Sequence, residues 1–164
     1  MWNIDDFVVY GKDVCVVRDI LKKKFNNEDY YLLIPMKDNS LKIEVPVSNK
    51  NGKIRNLISL EQVNNIINNI PNVEPINTDN KFIEHEYKEL LSTGDHLDLI
   101  KVIKTTYLRN KERVDNNKKA TEKDTVYFEM AEEYLYNEFA VVLGYSFDEV
   151  KEYITKKVSN LLNS

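Results

Sequence analysis

Two histidines, one cysteine and four glycines are the residues that catalysis would draw on first in this chain. His85 and His96 fall on different predicted helices, with no cysteine or carboxylate at metal-ligand spacing, so no zinc site is expected. His85 has Glu84 and Glu89 near it on one helix, which reads as surface salt-bridging. Glu132-Glu133 and Asp148-Glu149 are adjacent in sequence, and neighbours on a helix point about 100° apart. That geometry is poor for two carboxyl groups sharing one substrate. The glycines form neither a phosphate-binding loop nor a nucleophile elbow. Cys15 sits in a Val-rich run and reads as a small buried hydrophobe. As the single cysteine it makes no internal disulfide. No catalytic residue, metal or cofactor is therefore expected, and recognition is the chemistry that remains.

Two features suit recognition. In Leu41 to Val47, Leu41, Ile43 and Val45 alternate with Lys42, Glu44 and Pro46, the period of a strand with one buried face. Pro46 cannot donate to a ladder, so this strand lies at an edge or ends there. A free edge offers unpaired backbone groups to a partner strand, with Lys42 and Glu44 reading the partner's charge. The same Lys, Glu and Pro would equally well blunt an edge against aggregation. The second feature is a charge block. Lys101 to Lys123 holds 8 basic and 3 acidic residues, and Asp124 to Glu152 holds 8 acidic and 1 basic. Lys101, Lys104, Arg109, Lys111, Arg113, Lys118, Lys119 and Lys123 could border a phosphate backbone, and each contact would make affinity fall with salt. A solvated helix face explains the same run. The net charge of −4 does not exclude such a local polyanion site.

The elements that must position these residues fall in two halves. Phe7 to Tyr10, Val14 to Val17, Tyr30 to Ile34 and Leu41 to Val47 read as strands, and Ile54 to Ile58 could supply a fifth. Gly11-Lys12-Asp13 is the first turn; Lys22-Lys23-Lys24 with Asn26-Asn27-Glu28-Asp29 reads as a polar hairpin loop. Five short strands in residues 1–58 suggest an SH3- or Tudor-like half-open barrel. Everything from Ser59 reads as helix, so the fold class is α+β: a small barrel over 1–58, then an all-α domain over 59–164. Ser59 with Gln62 is a capping box, opening a helix with Val63, Ile66, Ile67 and Ile70 on one face, stopped at Pro71. Residues 72–80 read as a loop, followed by a helix to about Leu91. Gly94 suits a left-handed cap and Asp95 starts the next helix, with Leu99, Ile100, Ile103 and Tyr107 inward. Thr121 starts another, carrying Phe128, Ala131, Leu135, Phe139 and Val142 to Gly144. Ser146 with Glu149 caps the last, which presents Phe147, Val150, Ile154, Val158 and Leu161.

At 164 residues and 42% hydrophobic, the chain can bury a real core. It has no apolar run long enough to span a bilayer. Asp5 and Asp6 precede any apolar stretch, the wrong order for a secretory signal. A cytoplasmic monomer without membrane contact is expected.

Taken together, these residues form a recognisable series. It begins with Asp6-Phe7-Val8-Val9-Tyr10, Tyr31-Leu32-Leu33-Ile34, Ile43-Glu44-Val45-Pro46 and Ile54-Arg55-Asn56-Leu57-Ile58. Glu89-Leu90-Leu91-Ser92-Thr93-Gly94-Asp95, Val102-Ile103-Lys104 and Arg109-Asn110-Lys111-Glu112-Arg113 follow. Thr121, Ala131, Leu135 and Glu138-Phe139-Ala140 end it. In order and spacing, over roughly residues 1–143, the chain resembles the CarD/CdnL family of bacterial RNA polymerase-binding transcription regulators. That family shares its N-terminal module with the transcription-repair coupling factor. No single piece is diagnostic; the collinear set carries the resemblance.

The resemblance implies a Tudor-like domain that grips the polymerase β subunit and a helical domain that touches promoter DNA just upstream of the melting bubble. The polymerase-binding residues would be Lys23, Lys42, Ile43, Glu44, Val45 and Pro46. Lys23 aligns with one basic β-subunit contact of the family, whereas Glu44 reverses the charge at another. The DNA contacts would involve Asn80, Lys81, Phe82, His85, Lys101, Lys104, Arg109 and Lys111. Where the family wedges a tryptophan into the minor groove, this chain has Asn80; its only tryptophan, Trp2, lies in the other half. Phe82 would take the wedge position if the register slips by two; otherwise Phe82 and Ile83 belong to the helix core. The implied function is modulation of open-complex formation, the direction of the effect being left open. The alternative is an adaptor whose helical half binds another protein, through the acidic stretch Asp124 to Glu152.

Overall fold

The computed structural model describes residues 1–162, which divide into two compact units, Met1–Ile58 and the helices from Ser59 onward. The first unit is a five-stranded antiparallel sheet: β1 (Phe7–Tyr10), β2 (Asp13–Phe25), β3 (Glu28–Pro35), β4 (Ile43–Pro46) and β5 (Ile54–Arg55). Its strand order is β4-β3-β2-β1-β5. The sheet does not close into a barrel; β4 and β5 are its edges. Gly11 at φ +62° lets Gly11-Lys12 join β1 to β2, with Tyr10 opposite Asp13.

The second hairpin differs from its expected form. Lys22-Lys23-Lys24 is strand, and the loop is only Asn26-Asn27, at φ +48° and +62°. Asparagine tolerates this left-handed backbone, and a two-residue turn of that hand matches the strand twist. A bulge between Leu21 and Phe25 puts Lys23 at φ +49°, and its amide donates to Asp29 Oδ1 at 3.0 Å. That bond, followed by one from Lys22 Nζ, holds the Asp29 carboxyl below its ordinary range. Three lysines in a row break the alternation that marks a strand, so the pattern misread them as loop.

β4 and β5 are shorter than expected. β5 is two residues long, and Asn49 covers its outer side: Asn49 Nδ2 donates to Ile54 O at 2.9 Å, and Ile54 N donates to Asn49 Oδ1 at 3.1 Å. Val8, Cys15, Val17, Tyr31, Leu33, Val45 and Ile54 form the core of the sheet unit. Cys15 is buried, and desolvation, with Asp13 adding to it, pushes its thiol up to about 11. Trp2 is anchored here: its amide donates to Tyr31 Oη at 3.1 Å and its indole N–H to Asn56 Oδ1 at 2.8 Å.

The second unit is α1 (Leu60–Asn69), α2 (Ile83–Thr93), α3 (His96–Asp115), α4 (Glu122–Leu143) and α5 (Phe147–Leu162). Short 3-10 turns at Ile70–Asn72 and Asn80–Phe82 flank the connection before α2. Ser59 and Gln62 form the reciprocal capping box, as do Ser146 and Glu149. Gly94 and Gly144 end α2 and α4 in the left-handed conformation. α3 packs between α2 and α4, and α5 lies against α4 and α1. Among the described residues no helix is long and apolar enough to cross a membrane.

Three side chains leave their expected places. Tyr107 is 55% exposed, and α3 buries Leu99, Val102 and Thr106 together with Ile100 and Thr105. The two threonines can be buried because their hydroxyls donate to carbonyls one turn back, Thr105 to Lys101 O at 2.7 Å and Thr106 to Val102 O at 2.8 Å. A hydropathy stripe scores them as polar and extends the expected face to Tyr107, although Leu99 and Ile100 are buried as expected. Phe82 is 50% exposed instead of core, while Ile83 is buried. Leu161 is exposed as well.

Candidate functional site

At the sheet edge, backbone geometry decides which groups face outward. Val47 N donates to Asp29 O at 2.9 Å, so this antiparallel pair is a hydrogen-bonded one. Such pairs alternate with non-hydrogen-bonded ones along the ladder. With Val45 opposite Tyr31 and Ile43 opposite Leu33, Ile43 and Val45 direct their N–H and C=O towards β3. Glu44 and Pro46 direct theirs away from the sheet, where β4 has no neighbouring strand among the described residues. Pro46 has no N–H to offer there. Glu44 therefore presents the only complete donor–acceptor pair on the outer side of β4. Lys42, just before the strand, has the same parity.

The side chains follow the pleat. Ile43 and Val45 face the sheet's core, and Lys42 and Glu44 stand exposed on the other face. The β2–β3 hairpin brings Lys24, rather than Lys23, beside Glu44, with Nζ 3.8 Å from Oε1. Sequence reasoning missed Lys24, because three consecutive lysines carry no alternation and the bulge at Lys23 decides which of them comes beside Glu44. Lys23 is exposed on the bulge. Next to the edge, Glu28, Val45, Pro46, Ser48, Asn49, Lys50 and Asn51 enclose a hollow of about 190 Å³.

In the helical unit, a buried network occupies residues expected to meet DNA. Asp124, in the first turn of α4, is 0% exposed. Its carboxylate accepts from Tyr87 Oη at 2.7 Å, Thr121 Oγ1 at 3.0 Å and Arg109 Nε at 3.1 Å. Arg109 also donates through Nη2 to Asn80 Oδ1, tying the lead into α2 onto α3. Burial, with the Asp124 carboxylate next to it, raises the Tyr87 hydroxyl's pKa far above its ordinary value. Lys104 is committed too: its ammonium donates to the carbonyls of Ile70, Pro71 and Val73 at 3.0, 3.3 and 2.8 Å. It closes the C-terminal end left open where Pro71 stops α1. Arg109, Lys104 and Asn80 thus hold the fold.

The other expected residues lie at the surface. Lys81 stacks over the Phe82 ring at 5.0 Å. His85 pairs with Glu89 at 3.0 Å and Lys111 with Asp115 at 2.9 Å, both one helical turn apart. Lys101 lies half-buried on α3, about 15 Å along the axis from Lys111 at 1.5 Å per residue. Lys118 and Lys119 are exposed on the α3–α4 connection, where Arg113 Nε donates to Lys119 O at 2.7 Å. Tyr107, Val114 and Phe128 line a groove of about 400 Å³ between α3 and α4, bordered by Lys111, Asp115 and Glu129. Sequence reasoning missed this groove; its signal is Tyr107 and Val114, two turns apart on α3.

The acidic block is not one continuous face. Asp124, Glu132 and Glu138 are buried. Arg109, Lys151 at 3.2 Å and His96 at 2.8 Å are their respective partners. Burial raises the pKa of Glu132 above its ordinary 4.5, with Lys151 pulling the other way. A carboxyl raised in the fold holds its proton more tightly folded than unfolded, so its contribution to stability falls as pH climbs through 4.5 towards the raised value. Glu132→Gln removes that cost and keeps an acceptor for Lys151. Its melting temperature is expected to match or exceed the parent's at pH 7, the difference closing by about pH 4. Parallel thermal melts at the two pH values check this; a variant less stable at pH 7 than at pH 4, relative to the parent, refutes it.

Compared with known proteins, the chain matches no family model and no curated protein.

Proposed function

We propose that the chain is a divergent CarD/CdnL-like regulator: a non-catalytic, cytoplasmic protein that binds the RNA polymerase β subunit through its sheet unit and promoter DNA through its helical unit. The observation that carries this reading is the outer side of β4, where Glu44 turns its backbone N–H and C=O away from the sheet. Strand addition draws affinity from such main-chain groups and specificity from the alternating side chains. In this reading Lys23, Lys42 and Glu44 set the charge the incoming strand meets, and Ile43, Val45 and Pro46 hold the edge in shape. The sheet is read as a half-open Tudor/SH3-like barrel, supported by β5 pairing with β1, which returns the last strand beside the first.

The helical unit's DNA contacts are assigned to the surface groups: Lys81, Phe82, His85, Lys101 and Lys111, with Lys118 and Lys119. Lys104, Arg109 and Asn80 shape that surface from within. An anchored β subunit raises the local concentration of the helical unit near DNA, so few phosphate contacts suffice. The effect on promoter opening equals the difference in affinity for the closed and open states. A second reading, favoured by the apolar groove between α3 and α4, keeps the sheet contact and gives the helical unit another protein as its partner.

Gel retardation with polymerase and promoter fragments, using the full chain, separates the readings. The DNA reading expects retardation beyond polymerase alone, lost with salt and weakened by a Lys118→Glu/Lys119→Glu variant. Retardation indifferent to both would leave the protein-binding version. No capture of the β-subunit lobe by the full chain would remove the transcription reading altogether.

A further inference from the structure

The outer edge of β4 is complementary to itself, and we infer that a second copy of this chain is an occupant of that edge, paired antiparallel through Lys42 and Glu44. The inference needs only the open edge, not the polymerase reading. Outward-facing backbone groups alternate, so Lys42, Glu44 and Pro46 are the positions a neighbouring strand can meet. Five antiparallel registers bring these positions opposite one another across a two-fold axis, and Pro46 opposite Pro46 sets two donorless residues together. Lys42 opposite Lys42 sets two ammonium groups together. Glu44 opposite Glu44 sets two carboxylates together and places Pro46, which has no donor, against Lys42. Glu44 opposite Pro46 puts the donorless residue into the ladder twice. Only Lys42 opposite Glu44 has neither fault: each copy's lysine meets the other's carboxylate, and Pro46 falls outside the paired residues.

That register also places Ile43 against Ile43 of the second copy, with Leu41 opposite Val45. Leu41 is 43% exposed and Ile43 half-buried, so apolar surface on the sheet's core side gains cover as well. The existing Lys24–Glu44 contact is long, at 3.8 Å, and solvent-exposed, so it leaves Glu44 open to a second cation. The interface is isologous, and its closed two-fold stops growth at two copies. It occupies the very groups offered to a partner strand, so self-pairing and partner capture exclude one another. A concentrated pool of the chain is thereby kept from other edges, and dilution or a better-matched strand releases it.

Sedimentation velocity over about 10 μM to about 1 mM, the range suited to so small an interface, tests this. The wild-type weight-average sedimentation coefficient is expected to rise with concentration. Glu44→Lys sets lysine against lysine and Lys42→Glu sets carboxylate against carboxylate, so each alone is expected to lose the rise. An equimolar mixture of the two restores both opposite-charge pairs and is expected to regain it. Both positions are exposed, and matching thermal melts confirm that the variants fold. In parallel, the Glu44 amide of the wild type is expected to gain protection from hydrogen exchange between the dilute and concentrated ends. A constant coefficient for the wild type, variants that associate as well as the parent, or a mixture that fails to recover each overturns the inference.

Discussion

Asp124→Ala is expected to lower the stability of the helical unit by about 1–3 kcal/mol, the usual cost of leaving a buried polar group, here the Tyr87 hydroxyl, unsatisfied. Asp124 has no exposed surface, and its two oxygens take bonds from Tyr87, Thr121 and Arg109. Alanine leaves the Tyr87 hydroxyl unsatisfied inside the unit and removes the acceptor of Arg109 Nε. Three elements loosen together, because Tyr87 belongs to α2, Arg109 to α3 and Asp124 to α4. The bond from Arg109 to Asn80 then lacks its brace, and the turn carrying Lys81 and Phe82 loses its attachment to α3. Asp124→Asn keeps the shape and the bond from Tyr87, so a smaller loss is expected; Arg109 is part-exposed and can hydrate. Urea unfolding checks both: the midpoint falls at constant m-value, alanine the more severe. If alanine costs under about 1 kcal/mol, the network is not what joins the three helices.

Glu44→Pro is expected to weaken capture of the β-subunit lobe by roughly tenfold to a hundredfold while leaving the fold intact. The Glu44 N–H points away from β3, so proline removes no bond from the sheet, and edge strands tolerate it. A partner strand, however, would lose the only N–H that β4 presents outward, and its own carbonyl would be buried without a donor. Such an orphan costs about 1–3 kcal/mol, which is the expected loss of affinity. Glu44→Gln changes the charge but keeps the backbone donor, and is expected to alter the salt dependence more than the affinity. Titration of the immobilised lobe with both variants checks the contrast. Equal binding by Glu44→Pro and wild type would mean that the partner does not add as a strand at this edge.

Much of the fold was legible in residue types whose effect is local. Ser59 with Gln62 and Ser146 with Glu149 fix helix starts through bonds three residues long, and Gly94 and Gly144 fix helix ends through φ. Alternation in Ile43 to Val45 told which face of β4 is buried, because side-chain parity is a property of any strand. The sequence also placed the basic and acidic blocks.

Tertiary structure alone decided how the charges are used. Lys104 and Lys101 look alike in sequence, yet the carbonyls left at the end of α1 claim Lys104, from more than thirty residues away. Asp124 looked like one member of an acidic stretch until three helices closed around it. The bulge at Lys23, the Asn26-Asn27 turn and the Asn49 bonds to Ile54 likewise depend on what the neighbouring backbone offers. A cap or a glycine finds its partner within one turn, whereas a lysine's long side chain is assigned only when distant backbone comes within its reach.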